Sequence, residues 1–505
     1  MKRNHEKGVA LVITLFLMAS LSALAVSLMF LSQTETSASR NYKTMSQARY
    51  AGEAGIHKSL NYLMSDAFLN TIPTTITSLT PGTYPVQYLG NDVVLTSDVL
   101  TSNYPDNTVK AAFAALFSGT AGQLAASSAT LNYTATAKLL SVQPLNVYGG
   151  GTKYVQTWQI NAVGTVPGPL PATVEVTAIL ERDSVPAQTY AIFATGAGCG
   201  AIDLGGTTHT DSYDSSSPTM TIPPTMTNSG GGVGTNGNLS ISGHVTVNGN
   251  LDTPRSGVGA CNAGTPTALT SGGSANVSGS IVQLPQAKVY DTPVAPAIPT
   301  PITSTTVSSS GAWCLTFVAA NIGAGCVASG SNITITTNGA APLTFGNLSL
   351  ASNTNLTIQA GTGGGNSTAN INVNSFSLGS NATFNIASGT SVVMNVLGSG
   401  ITSPAPVIDV SGGGFANPSY DPSKFQILYG GTGRIEMIGG NSSAVSIYAP
   451  NASVKLNGNA DLFGSVLCNT YTNGGNGSVH YDTALASKFI TLGNFVLSSF
   501  SWKKF

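Results

Sequence analysis

The stretch Lys7-Gly8-Val9-Ala10-Leu11-Val12-Ile13 sets the organisation of the chain. It closes a short basic leader, residues 1–8, and opens an uncharged apolar run, residues 9–31. At about 1.5 Å per residue that run is long enough to cross a bilayer as a single helix. Lys2, Arg3 and Lys7 all precede it, and basic charge ahead of an apolar helix predicts an N-terminus in the cytoplasm with everything after Leu31 outside. Three readings compete. A cleaved secretory signal calls for a shorter apolar core and a small-x-small site, yet Ala23-Leu24-Ala25 lies inside the run and Ser37-Ala38-Ser39 well beyond it. A plain uncleaved anchor needs only the length and the flanking charge. The third reading rests on the junction itself, a charged leader ending in Gly8 and passing at once into Val-Ala-Leu-Val.

That junction resembles a type IV prepilin. The resemblance implies a prepilin peptidase that cuts after Gly8, a mature chain that starts at Val9, and other pilins as partners in a filament. The major pilins have Phe where this chain has Val9, and Glu at the fifth mature position, which here is Ile13. A carboxylate inside a membrane is costly unless paired. In pilin filaments the family's Glu is thought to pair with the N-terminal amine of the neighbour nearer the tip, so a subunit without it suits the first position of a filament. The opening is accordingly similar to those of the PilX-like minor pilins and the GspK-like tip pseudopilins. The likeness continues through Ala48-Arg49-Tyr50-Ala51-Gly52-Glu53-Ala54-Gly55-Ile56, a small-residue segment common in PilX-like N-terminal regions. It implies an inner-membrane protein held by a single helix, N-terminus in and C-terminus out, that later joins an extracellular pilus.

Composition bounds the remainder. At 505 residues, with about 150 per domain as a guide, two to four modules are expected. Only 8% of residues are charged and the net charge is -1, but 42% are hydrophobic, so the chain can bury a core and is not disordered by composition. Nineteen Lys and Arg, spread along the chain, form no cationic stripe, which excludes a nucleic-acid partner. The five cysteines, Cys199, Cys261, Cys314, Cys326 and Cys468, fit an exported protein with one or two disulfides, Cys314 with Cys326 being the nearest local pair. With no C-x-x-C and few His, no metal site and no cofactor are expected.

The first proline after the run is Pro73, and Tyr42, Met45, Ala48, Gly52, Ile56, Leu60 and Leu63 recur every three or four residues, so residues 32–68 read as an amphipathic continuation of the same helix. Gly52 and Gly55 each cost a helix about 1 kcal/mol, which points to close packing or a bend. Residues 69–195 read as a pilin-like α/β module: loops to about residue 108, a helix over 109–126, then alternating runs at 131–140, 154–166 and 172–181 that predict an antiparallel sheet with one wet face.

From residue 196 the texture changes to apolar pairs punctuated by Gly, Asn and Ser. Leu348/Leu350, Leu356/Ile358, Ile371/Val373, Phe376/Leu378 and Phe384/Ile386 form one series, and Ile435/Met437, Val445/Ile447 and Val454/Leu456 another. Each pair is too short to bury itself, so neighbouring units must share a core. This predicts a β-solenoid over 196–486, most simply a right-handed parallel β-helix, with a β-sandwich as the alternative. The Pro-rich stretch near 291–301 reads as an extended strap and residues 487–505 as a cap on the last coil. The fold class is therefore α+β, a long N-terminal helix with a small antiparallel sheet followed by the solenoid.

Solenoids host polysaccharide-cleaving enzymes, which need paired carboxylates at a set separation. Asp409, Asp421, Glu436, Asp461 and Asp482 are scattered, and Arg434 is almost alone, so no catalytic residues are assigned and no enzyme is expected. Asp211-Ser212-Tyr213-Asp214-Ser215-Ser216 could offer oxygens to Ca²⁺ but lacks an EF-hand's spacing. Glycine triplets at 230–232, 363–365 and 412–414 read as turns. His5, His57, His209, His244 and His480 occur singly and read as surface or structural residues. Tyr420, Tyr429, Tyr448 and Tyr471 are candidates for an aromatic surface that meets a glycan. Two readings without pili stay open: an anchored surface adhesin and an anchored polysaccharide-acting enzyme.

Overall fold

Helix α1 (Glu6–Leu63) runs unbroken through the apolar run and 32 residues past it. The computed structural model describes residues 6–126, 129–321, 324–337, 341–361, 367–439, 442–459 and 461–504, so residues 1–5 of the leader and the glycine triplet at 363–365 lie outside the described residues. The chain forms two units. The first gathers the residues up to Leu145, Tyr154–Asp183 and the chain from Leu492 onward; the second gathers Asn146–Lys153 and Ser184–Thr491.

In the first unit the C-terminal half of α1 lies against a sheet of β1 (Val94–Thr96), β2 (Ala129–Val147), β3 (Gly151–Val166) and β4 (Ala172–Pro186), in that order. Trp158 faces Leu180 and Val166 faces Ala172 in the antiparallel β3–β4 pair. Buried and half-exposed residues alternate along β3, the signature of one dry face. The buried stripe of α1 begins at Ala48 and continues through Ala51, Ile56, Leu60 and Leu63, whereas Tyr42, which the spacing put on the same stripe, is exposed. Helix α2 (Asn107–Ala115) is shorter than the helix expected over 109–126. Asp106 caps its start, accepting from the backbone N–H groups of Thr108 at 2.7 Å and Val109 at 3.3 Å. Its end is set by the glycines that follow: Gly119 has φ +55°, and a Cβ on Gly122 would stand 2.3 Å from the carbonyl oxygen of Phe117.

Of residues 487–505, expected as a cap on the last coil, the first few stay with the second unit, where Lys488 pairs with Asp421 and Phe489 packs on the core, but the rest go elsewhere. From Ile490 to Lys504 they form a strand that pairs beside β4 and fills the free edge of the first unit's sheet. The Arg182 guanidinium lies 4.9 Å over the Phe495 ring, and its Nε donates to the Gly493 carbonyl at 2.8 Å.

Among the described residues, twenty-two strands of the second unit, most of them short, join one sheet. One ladder of parallel partners reads Leu343, Ile371, Met394, Ile427, Ile447, Val466, Ile192, Val233, Leu251, Ile281. A second reads Leu348, Phe376, Ile408, Ile435, Val454, Tyr471, Ile202, Leu239, Leu269. Both break chain order at the same place. The chain enters in mid-stack at Ile192, proceeds outward to Ile281, crosses to the far end, and returns until Val466 lies beside Ile192. The crossing is the Pro-rich strap. The backbone N–H of Lys288 donates to Asn236 Oδ1 at 2.8 Å, and the hydroxyl of Tyr448 donates to the carbonyl of Asp291 at 2.8 Å. A five-stranded companion sheet stacks Ile333, Leu356, Phe384 and Phe415 in parallel register. Asparagines stack at the edges of the strands, Asn374 on Asn347 at 2.8 Å and Asn355 on Asn332 at 2.9 Å. Disulfides join Cys199 to Cys261 and Cys314 to Cys326, and Cys468 is a buried thiol.

Candidate functional site

Two features carry the chemistry available to this chain. The first is the N-terminal half of α1. Its large apolar side chains from Val9 to Leu31 are 52% to 73% exposed, and Ile13 is among them at 56%. A stripe of that size does not remain in water. Three of its hydroxyls bond within the helix: Thr14 donates to the carbonyl of Leu11, Ser20 to Leu17 and Ser27 to Ala23, each at 2.9 Å. That is the condition for a helix placed in lipid or packed among other helices. Gly8 and Val9 fall in the first turn of α1, so the proposed junction lies on a regular helical backbone.

The C-terminal half of α1 meets its sheet through glycines on both sides. A Cβ on Gly52 would stand 2.7 Å from Val176 Cγ2, one on Gly55 2.9 Å from the Ala162 Cβ, and one on Gly164 2.0 Å from the Ala48 carbonyl oxygen. Of the two expectations at Gly52 and Gly55, close packing is the one realised. The exposed Arg49 pairs with Glu53 at 2.8 Å, one turn on, and leaves the small residues facing the sheet.

The second feature is a polar cluster between β5 (His209–Tyr213) and β8 (Val479–Asp482), reached through β6 (Ser443–Gly458) and β7 (Leu462–Asn473). In the parallel β5–β8 pair Asp211 is the partner of His480. His480 Nδ1 lies 2.5 Å from Asp211 Oδ1, and its Nε2 lies 3.7 Å from Asp461 Oδ2. His209 Nε2 is 3.4 Å from Asp211 Oδ2, and its Nδ1 is 2.8 Å from Ser478 Oγ. Burial opposes the charging of His480, but its contacts with Asp211 and Asp461 outweigh that and push its pKa up to about 9. Burial likewise works against ionisation of Asp211, and the two imidazoles overcome it, holding the carboxyl below its ordinary value. His209 and His480 are thus not the isolated residues the sequence suggested. They are 271 positions apart in the chain and only a strand pairing, which no local pattern encodes, brings them together.

The other polar residues singled out do not converge. Asp214 accepts from the N–H and hydroxyl of Ser216 in its own turn, while Ser215 donates to Asp482, so the 211–216 segment splits between three tasks. Glu436 pairs with Arg434 at 2.8 Å and Lys455 at 3.2 Å, and Asp421 with Lys488 at 2.9 Å. The aromatic surface is also not formed. Tyr429, Tyr448 and Tyr471 are buried and Tyr420 packs on Phe463, because the strand positions they occupy face inward or under loops. His57 and His244 are exposed, away from this cluster in the sequence, and His5 lies outside the described residues.

Residues 7–57 match the family model described as PilX N-terminal, and residues 306–488 match one described as a domain of unknown function, DUF7305. Among solved structures, the competence-associated pilin ComZ from Thermus thermophilus is similar at 12% identity and a TM-score of 0.22, over 91% of this chain and 98% of that one. No curated protein matches the chain. The N-terminal part of α1 is thus similar to the PilX N-terminal family, and the chain beyond it carries an additional, sheet-rich C-terminal domain.

Proposed function

We propose that this chain is a minor type IV pilin that initiates or tips a filament and presents its C-terminal domain as a surface-binding module. Prepilin peptidase cuts after Gly8, the new amine at Val9 is methylated, and residues 9–31 hold the subunit in the inner membrane, N-terminus in and C-terminus out, until it joins other pilins in an extracellular pilus. The observation that carries this reading is the exposed apolar half of α1 continuing without a break into a packed domain. Ile13 supports an end position, since a subunit without a carboxylate there needs no amine from a neighbour ahead of it. The role is structural, with no catalytic residues.

The C-terminal domain is read as a β-solenoid, a right-handed parallel β-helix, on the support of its in-register parallel ladders and stacked asparagines. With Tyr429, Tyr448 and Tyr471 buried, the face it offers to a surface or glycan is one mainly of Asn, Ser and Thr side chains. Mass measurement of the mature N-terminus tests the assignment. A chain beginning at a methylated Val9 supports it; an intact Met1, or a cut near Ser39, overturns it in favour of an anchored adhesin. Labelling of the C-terminal domain on isolated pili tests the position, with label at one end expected and label along the shaft excluding a tip subunit.

A further inference from the structure

His209 and Asp211 stand two apart on β5, so both side chains leave the same face of the strand, and His480 leaves β8 directly beside them. The ligand atoms of the three residues all lie within 4.8 Å of one another. The other nitrogen of His209, Nδ1, is hydrogen-bonded to the Ser478 hydroxyl at 2.8 Å, and the other nitrogen of His480, Nε2, faces the Asp461 carboxylate at the longer distance of 3.7 Å. That is how metal-binding histidines are fixed: one nitrogen toward the ion, the other toward a hydroxyl or carboxylate.

We propose that His209 Nε2, a carboxylate oxygen of Asp211 and His480 Nδ1 form a site for one divalent transition-metal ion of the zinc class, with Asp461 and Ser478 as outer partners. The donor set selects the metal. Two nitrogens and one carboxylate suit zinc, whereas calcium and magnesium require six or more oxygens. Asp211 and His480 are 2% and 7% exposed at the side chain, while His209 and Asp461 are 44% and 38% exposed, so the site is anchored inside and opens on one side. That opening admits the ion and leaves a fourth position for water. The Phe463 ring, 4.6 Å from the His480 ring, closes the opposite side. As the ion enters, the proton between His480 and Asp211 leaves to solvent and the ion takes its place. Because β5 belongs to the first strands of the domain and β8 to the last, a bound ion would tie the beginning of the domain to its end.

The test uses the full chain purified in detergent, stripped with a chelator, and equilibrated with zinc alone. One zinc per chain is expected after desalting. His480→Gln and Asp211→Asn should abolish retention, and His209→Ala, whose side chain is 44% exposed, should weaken binding at least tenfold while leaving the circular dichroism spectrum unchanged. His57→Ala should bind as the wild type does. Failure of the wild type to retain stoichiometric zinc, wild-type affinity in His209→Ala, or loss of binding in His57→Ala would each overturn the proposal.

Discussion

Gly164 on the sheet and Gly52 on α1 approach so closely that a Cβ on Gly164 would lie 2.4 Å from the backbone nitrogen of Gly52. Neither atom is at the end of a flexible side chain, so nothing can move aside cheaply. Gly164→Ala should therefore push the helix off the sheet and destabilise the first unit by about 1–3 kcal/mol or more, an overpacking cost. Thermal unfolding followed by circular dichroism checks this, and a variant as stable as the wild type would show that the contact is looser than described.

In the second unit Phe384 is wholly buried among Phe376, Phe415 and Phe425, with ring centroids 5.5, 6.1 and 5.5 Å away. Phe384→Ala should lower stability by about 3–5 kcal/mol through lost burial and the cavity left behind. The expected readout is a lower denaturant midpoint with an unchanged slope.

Asp421 contributes to the pH dependence of stability. Burial alone would raise its pKa, but the Lys488 ammonium at 2.9 Å and the Ser423 hydroxyl outweigh burial and hold the carboxyl below its ordinary value. A pKa lower in the folded than in the unfolded chain gives stability that is present above the unfolded value, about 3.9, and is lost as pH falls through the folded one. Asp421→Asn should thus be less stable than the wild type at neutral pH, and the difference should shrink as acid protonates the wild-type carboxyl. Unfolding midpoints from pH 7 down to pH 2 measure it, and a difference independent of pH would sink the assignment.

The disulfide between Cys199 and Cys261 closes a separation of 62 residues. Cys199→Ser with Cys261→Ser should cost about 2–5 kcal/mol. Cys468 should behave differently. Burial pushes its thiol up from the ordinary value, and the thiol lies inside the core, so maleimide should label it only at the rate of unfolding. Rapid labelling of the native protein would contradict its burial.

Features with a local period could be read from the sequence, and features made by distant pairing could not. The three-and-four spacing from Ala48 to Leu63 and the alternation in β3 each state their own dry face, and both appear in the structure. The apolar pairs such as Leu348/Leu350 announced short strands sharing a core, and all of them are buried. What they could not announce is the order of stacking, because any apolar strand of that length is an acceptable neighbour for any other. The strand Ile490–Lys504 was misread for the same reason: its destination is the open edge beside β4, more than 300 residues earlier. The cluster of His209, Asp211 and His480 depends on that stacking order as well, with Asp211 and His480 269 residues apart.

The break in chain order at Val466 and Ile192 bears on how the domain is made. A stack ordered in simple sequence could grow as the chain was made, each new strand covering the last. Here the earliest strands keep an unpaired edge until the latest ones arrive, so completing the sheet requires closure of a long loop rather than growth at an end. During that interval the waiting edge can accept the matching strands of another copy equally well. Crowding of unfinished chains thus works against correct folding, and the yield of the domain should fall with its concentration during refolding.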